Sequence, residues 1–209
     1  MRYALAAAGV AWTENSLRAP GDVDRVRGGC LFNQVPRLDI GGEHVVQSWT
    51  IVRHVGATYG PAPPAAAAWR ADAAAEEVRD FFVAADLVGY GWAAEAAAPA
   101  ARAAVEAAAR ERVAAAAART FAKFDRVLAA AGGFVTGAAA CWADYQLLYA
   151  LDYAVDVCGA AVLAPHAPCA ALHAALRAEP RMADFYATRA KPLVTPTYIA
   201  EVRAAQLPA

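Results

Sequence analysis

A small α/β domain followed by an all-helical domain is the fold predicted for this chain, and three observations predict it. Alanine is absent from Pro20 to Gly56 and abundant from Ala57 onward. Just past that change lies Gly60-Pro61-Ala62-Pro63-Pro64, a run that proline keeps extended and stiff. Strand-like alternation is confined to the part before this run, and helical periodicity dominates after it. The boundaries expected are residues 1–60 for the first domain, 61–64 for a linker and 65–209 for the helical domain.

Composition narrows the function classes. The 209 residues carry 19 basic and 20 acidic side chains, a net charge of -1, so no basic face argues for nucleic acid. The 59% hydrophobic content overstates greasiness, because 61 residues are alanine, a strong helix former and a weak core filler. The longest run free of charged side chains, Val157 to Leu176, is interrupted by Pro165, His166, Pro168 and His173 and does not read as a membrane span. Met1–Trp12 has the outline of a short signal peptide, but Gly9-Val10-Ala11-Trp12-Thr13-Glu14 reads equally as a helix end running into a strand. Cys30, Cys141, Cys158 and Cys169 form no CxxC pair and are too sparse for a disulfide framework. A reducing, cytoplasmic compartment is the expectation.

In chain order, Ala11–Asn15, Arg37–Ile40 and Glu43–Val46 read as strands, the last two joined into a hairpin by Gly41-Gly42. Ile51, Val52 and Val55 then fall at helical spacing, with Ser48 as the expected N-cap and Tyr59-Gly60-Pro61 as the stop. Beyond the linker, Trp69–Tyr90 places Trp69, Val78, Phe81, Phe82, Ala85 and Val88 on one stripe. Ala101–Ala131 repeats the pattern with Val105, Val113, Phe121, Phe124 and Leu128, and Gly132-Gly133 ends it. Cys141–Cys158, His166–Ala178 and Arg181–Thr188 complete a five-helix set, with Pro180 tolerated near the start of the last.

Two segments of the first domain carry chemistry. Phe32-Asn33-Gln34-Val35-Pro36 stands just before the hairpin, and a proline opening a strand sits at an edge or, in the cis form, in a tight turn. A cis Val35-Pro36 bond turns the N–H and C=O of Val35 outward, where they can pair with a peptide-like ligand. Ten residues on, Gln47-Ser48 lies at a helix N-terminus, where free N–H groups, the helix dipole and a hydroxyl suit a carboxylate. Together they imply a peptide ligand carrying an amino-acid head group.

Arg27-Gly28-Gly29-Cys30-Leu31-Phe32-Asn33-Gln34-Val35-Pro36 followed by Gln47-Ser48-Trp49-Thr50-Ile51-Val52-Arg53-His54 resembles the glutathione-binding half of a cytosolic glutathione transferase, most of all the pi, sigma and alpha classes. Cys141-Trp142-Ala143-Asp144-Tyr145-Gln146-Leu147-Leu148 resembles the buried capping box that opens the core helix of that family's second domain. The resemblance runs from about Arg2 to about Lys191. It implies a thioredoxin-like first domain and glutathione as co-substrate. By the same resemblance Gln34 and the Val35 backbone hold the cysteinyl part, Arg27 reaches the glycine carboxylate, Gln47 and Ser48 grip the γ-glutamyl end, and Pro36 is cis. Asp144 and Cys141 take structural roles, and because a thiol is a poor acceptor the box is expected to be half made. The activity implied is conjugation of the glutathione thiolate to small hydrophobic electrophiles in a cytoplasmic homodimer, with no metal, nucleic acid or membrane. The alternative is a non-catalytic glutathione-binding or structural member.

The resemblance also has gaps. Family members begin with a strand ending in the tyrosine (serine or cysteine in other classes) whose hydroxyl stabilises the thiolate. Arg2–Val10 resembles the helix that follows that strand, so the first strand is expected to be missing, Tyr3 lies on the wrong element, and the catalytic residue is unassigned. Met1 is accordingly expected to be an internal methionine of a longer protein. Gly21 replaces an indole that many members place six residues before the Arg27 position, and Ala84 aligns with the acid that a partner subunit offers. Tyr90, Trp92 and Tyr198 are the aromatics that analogy places around an acceptor pocket. His166, Cys169 and His173 mimic metal ligands on one helix face but lack a fourth, so a structural role is expected for them, and Cys30 reads as a small buried residue.

Overall fold

The computed structural model describes residues 1–15, 21–86 and 99–189. The chain opens with α1 (Arg2–Ala8), whose alanine-rich sequence favours a helix and whose end is fixed by Gly9 at φ 66°, the left-handed conformation of a C-cap. A side chain would be strained at that φ, and its Cβ would sit 2.9 Å from the Arg181 guanidinium, which would have to shift. Ala11–Asn15, expected as a strand, has no regular secondary structure. The only sheet among the described residues is a two-stranded hairpin, which leaves this run without a ladder partner.

Helix α2 (Asp22–Arg27) was not anticipated. Its signal is the charge order, Asp22 and Asp24 in the first turn and Arg25 and Arg27 in the last, which complements the helix dipole. The hairpin follows as predicted: β1 (Arg37–Ile40) pairs antiparallel with β2 (Glu43–Val46), Ile40 opposite Glu43, across Gly41 and Gly42 at φ 59° and 84°. Positive φ at both turn positions is what a two-residue turn of matching twist requires. Helix α3 (Ser48–Tyr59) buries Ile51, Val52, Val55 and Gly56. Its N-cap is Gln47, not Ser48, which is already the first helical residue. Gln47 itself sits at φ 70°, outside the region a residue with a side chain ordinarily adopts.

The remaining described elements are helical: α4 (Ala68–Ala85), α5 (Pro99–Ala131), α6 (Trp142–Cys158), α7 (Ala167–Ala178) and α8 (Pro180–Arg189). Together with the first part they form a thioredoxin-like N-terminal region followed by an all-helical one. The buried stripe of α4 is Ala71, Ala74, Ala75, Val78, Phe81, Phe82 and Ala85. Trp69, expected on that stripe, is 64% exposed, and Val88 lies outside the described residues. Proline occupies the first turns of α7 and α8, where no helical N–H is lost.

Helix α6 is the centre of the core. Its flanks pack against α1, α3, α4, α5 and α7, and Leu147, Leu148, Leu151 and Tyr153 are fully buried. Its start is held by Asp144, whose carboxylate accepts the Cys141 N–H and the Val135 N–H at 2.8 Å each. Both arms of the capping box are present, so the expectation of a half-made box is corrected. The correction is partial in energetic terms, because the thiol contact falls short of a hydrogen bond and the carboxylate does the work. Helix α7 is capped at longer range: Asp125 on α5 accepts the Cys169 N–H at 3.1 Å and pairs with His166 Nδ1 at 2.7 Å. His173 pairs with Asp152, so the two histidines of the suspected metal face serve different carboxylates. Among the described residues no helix is long and apolar enough to cross a membrane.

Candidate functional site

The loop between α2 and β1 positions the first group of candidate residues. Val35-Pro36 is a cis peptide bond, and neither the N–H nor the C=O of Val35 has a backbone partner among the described residues. Val35 is half-buried, so these groups are open to water or to a ligand. Gln34, one residue earlier, accepts a 3.2 Å hydrogen bond on Oε1 from Nε2 of Gln47. The structure thus brings Gln34 and Gln47 together across thirteen residues of sequence.

Gln47 leads directly into α3. The first helical bond is donated by Ile51 to the Gln47 carbonyl, at 2.9 Å, which leaves the N–H groups of Ser48, Trp49 and Thr50 without helical acceptors. No side chain caps this end. A twelve-residue helix with three amides free of helical acceptors and the positive end of its dipole presents, beside the glutamine pair, a terminus of the kind that suits an anion. Ser48 is exposed there.

Arg27 ends α2 and is not drawn into this group. Its guanidinium reaches Asp24 on its own helix at 3.5 Å, while its Nε is buried with no hydrogen-bond partner. That leaves one buried donor of the guanidinium unused. Cys30 is buried, its thiol 3.3 Å from the Val26 carbonyl, in agreement with the structural reading.

A cleft of about 910 Å³ opens between the two parts of the molecule. One wall is formed by Val10–Asn15, the other by Val35, Pro36 and β1, and the floor by Tyr3, Tyr149, Asp152 and Tyr186. Arg37, on the β1 wall, pairs with Asp39 at 2.8 Å, and His44 pairs with the same carboxylate at 2.7 Å. Partial desolvation pushes the Asp39 carboxyl up, but the Arg37 and His44 hydrogen bonds outweigh it and hold it below the usual range. Tyr3 does not offer its hydroxyl to the cleft: it donates to Asp152 Oδ2 at 2.6 Å, and burial together with that carboxylate raises its pKa far above the ordinary value. Asp152 was missed by sequence reasoning. The available signal was an acid on the buried face of an apolar helix, Leu147-Leu148-Tyr149-Ala150-Leu151-Asp152-Tyr153.

Of the positions that analogy reserves for a second substrate or a partner, Tyr90, Trp92 and Tyr198 lie outside the described residues. Ala84 is exposed on α4. Gly21 is the N-cap of α2 at φ 80°.

Comparison with known proteins fits this geometry. Residues 93–189 match the sequence profile of the glutathione S-transferase, C-terminal domain. Glutathione S-transferase A2 of Bos taurus is 38% identical over 61 residues, and glutathione S-transferase alpha-5 of Rattus norvegicus is 39% identical over 61. The bovine match covers 28% of this chain and 27% of that protein, so the chain matches little more than a quarter of the length of such relatives. Solved structures overlap far more completely. A glutathione S-transferase from Ascaris lumbricoides superposes with a TM-score of 0.74 at 22% identity, covering 93% of this chain and 91% of that one. A glutathione S-transferase from Necator americanus, described as monomeric, gives 0.75 at 18% identity with 91% of each chain covered. Residues 93–189 thus carry a glutathione S-transferase C-terminal domain, and the chain has the fold of the solved glutathione S-transferases it overlays.

Proposed function

We propose that the chain binds glutathione beside the N-terminus of α3 and conjugates its thiolate to small hydrophobic electrophiles, a detoxifying activity of the cytoplasm. The observation that carries the reading is the uncapped start of α3 standing next to the bonded Gln34–Gln47 pair. In this reading the γ-glutamyl carboxylate takes the free amides of α3 with help from Ser48 and Gln47. Gln34 and the unpaired Val35 backbone hold the cysteinyl unit in the manner of an added strand, and the exposed part of the Arg27 guanidinium takes the glycine carboxylate. The sulfur then attacks an electrophilic carbon, the new S–C bond forming as the leaving group departs with its electron pair. The domain division proposed is a glutathione-binding unit over residues 1–60, a linker at 61–64 and an acceptor-binding helical unit over 65–209.

The test is calorimetric titration with glutathione and with γ-glutamylcysteine. Gln47→Ala and Ser48→Ala are expected to weaken both ligands about tenfold, the worth of one charge-assisted hydrogen bond. Arg27→Ala should weaken glutathione alone, since γ-glutamylcysteine has no glycine. Glutathione binding that is unchanged in all three variants overturns the site.

A homodimer is part of the proposal. Leu31 and Phe32 are 78% and 59% exposed on the loop before Val35, and Trp69 and Val127 edge an apolar cleft of about 520 Å³ between α4 and α5. A second copy covers both surfaces if the loop of one seats in the cleft of the other. The Necator americanus structure described as monomeric makes the point testable within the same fold. Sedimentation should give a dimer that Phe32→Ser dissociates; a monomer at micromolar concentration removes this part. A second reading, a binding member without turnover, is favoured by the commitment of the Tyr3 hydroxyl to Asp152. Tight glutathione binding with no conjugation of any aromatic electrophile would select it.

A further inference from the structure

Helix α1 has seven residues and no N-terminal side-chain cap, a length at which an isolated helix does not hold its shape in water. Apolar packing accounts for part of its order, since Tyr3, Ala4, Leu5, Ala6 and Ala7 are buried. Alanine offers little area, however, and the polar contacts are unusual in where they fall. At the first turn, Tyr3 donates to Asp152 on α6 at 2.6 Å. At the last, Arg181 on α8 donates from Nη1 to the Ala7 carbonyl at 3.1 Å, satisfying one of the acceptors a helix leaves open at its end. Both partners come from the helical region, 149 and 174 residues away in sequence.

Asp152 is built to hold such a contact. Only 3% exposed, it receives Tyr3 and Tyr186 on Oδ2 and, on Oδ1, His173 Nε2 at 2.8 Å and Arg177 Nη1 at 2.6 Å. The donors come from α1, α7 and α8, so one carboxylate joins four helices. Burial opposes its charge, but the His173, Tyr186 and Tyr3 hydrogen bonds and the Arg177 charge outweigh burial and hold its pKa below the usual range. Asp156, one turn on, has its own carboxyl raised, by burial first and then by Asp152, with Arg177 acting in the opposite direction. The Arg177 guanidinium also lies 3.9 Å over the Tyr186 ring, which fixes the cation that faces Asp152.

We propose that Asp152 and Arg181 form a two-point latch by which the helical region orders α1, and through it the Val10–Asn15 wall of the cleft. In this arrangement α1, which also packs on α3, is tied to the helical region although it lies in the N-terminal sequence. Releasing the latch opens one wall of the cleft while the hairpin and the α3 start that face it stay in place. The inference stands apart from the glutathione reading, because it concerns order in α1 and not what the cleft holds.

The experiment is native-state amide hydrogen exchange on the full chain, comparing Tyr3→Phe, Arg181→Met and Asp152→Asn. Tyr3→Phe removes one hydroxyl and keeps the ring, and Tyr186, His173 and Arg177 still occupy Asp152. Exchange at residues 5–10 is expected to quicken about tenfold to a hundredfold, with α6 and α7 unchanged. Arg181→Met should act on the same residues, and the double variant should free α1 altogether. Asp152→Asn should free α1 and α8 together. Unchanged α1 exchange in both Tyr3→Phe and Arg181→Met overturns the latch, as does an equal rise across α1 and α6 in Tyr3→Phe, which would mark a purely global role. If Asp152→Asn does not fold, the two milder variants decide the question.

Discussion

Replacing Gly56 with alanine reverses the sign expected from helix propensity. Gly56 lies inside α3, where alanine in place of glycine normally stabilises by about 1 kcal/mol. Here the new Cβ would stand 2.2 Å from Cβ and 2.4 Å from Cγ of Trp142, the first residue of α6. Ordinary contact begins at 3.4 Å, so the two helices must part by about 1.2 Å along their line of packing. Trp142 cannot give way alone, because its N–H donates to the Pro61 carbonyl at 2.9 Å and its backbone opens α6. Parting the helices loosens Ile51, Val52 and Val55, all buried on the same face. Overpacking of this kind costs about 1–3 kcal/mol and more when backbone must move, so a net loss of roughly 2 kcal/mol remains after the propensity gain. For a chain of this size that lowers Tm by roughly 4–8 °C. The assay is thermal and denaturant unfolding followed by far-ultraviolet circular dichroism, with Ala57→Gly as the control. Ala57 is exposed one residue further on and should follow propensity alone, losing about 1 kcal/mol. A Gly56→Ala protein that melts at or above the parent would refute the close approach of α3 and α6.

Asp144→Ala strips the acceptor from the Val135 and Cys141 amides and leaves two buried donors, so a loss of about 2–4 kcal/mol is expected in urea unfolding, with Asp144→Asn recovering part of it. Alkylation of the folded protein should label Cys158 first: Cys30, Cys141 and Cys169 are buried, and burial pushes the Cys141 thiol up to about 11. Mass spectrometry of labelled peptides checks the order, and early loss of Cys141 would contradict it. Asp152 sets an acid response. Its folded pKa lies below the ordinary 3.8, so its contribution is complete above that value and is lost as pH falls through the lowered one. Acid unfolding curves of the parent should therefore drop more steeply below about pH 4 than those of Asp152→Asn.

Much of this architecture is legible in local chemistry. Gly41-Gly42 between alternating residues dictates the hairpin, and Ile51, Val52 and Val55 dictate the buried face of α3. The capping role of Asp144 follows from its place three residues after Cys141. Where sequence reasoning went astray, a neighbour decided the outcome. Ala11–Asn15 has strand-like alternation, but a strand is defined by the ladder it joins and none reaches it among the described residues. Trp69 fits the apolar period of α4 and is nonetheless exposed, because the period marks a stripe wider than the surface that α5 and α6 cover. Ser48 has the chemistry of an N-cap, yet Gln47 takes that position at a positive φ, held by the hairpin on one side and by Gln34 on the other. Asp152 shows in the sequence only as an acid on an apolar helix face; its role depends on four donors from three other helices.

The proposed glutathione site separates two properties that are usually measured together, holding glutathione and ionising its thiol. The groups proposed to hold it are backbone amides of α3, the Val35 peptide, two glutamines and one arginine, and none of these needs the thiol to be charged. A hydroxyl that lowers a thiol pKa must donate its proton to sulfur, and Tyr3 already donates its only proton to Asp152. Tyr3→Phe is therefore expected to leave the thiol pKa of bound glutathione unchanged, read from thiolate absorbance across pH. If bound glutathione ionises at its solution pKa in the parent protein, the chain is a binder whose site lacks an activating donor. If the pKa is lowered, another group supplies the donor. Only a lowered pKa that Tyr3→Phe restores to the solution value would show that the Tyr3 hydroxyl leaves Asp152 when glutathione is bound, and it would refute the assignment of Tyr3 to the latch alone.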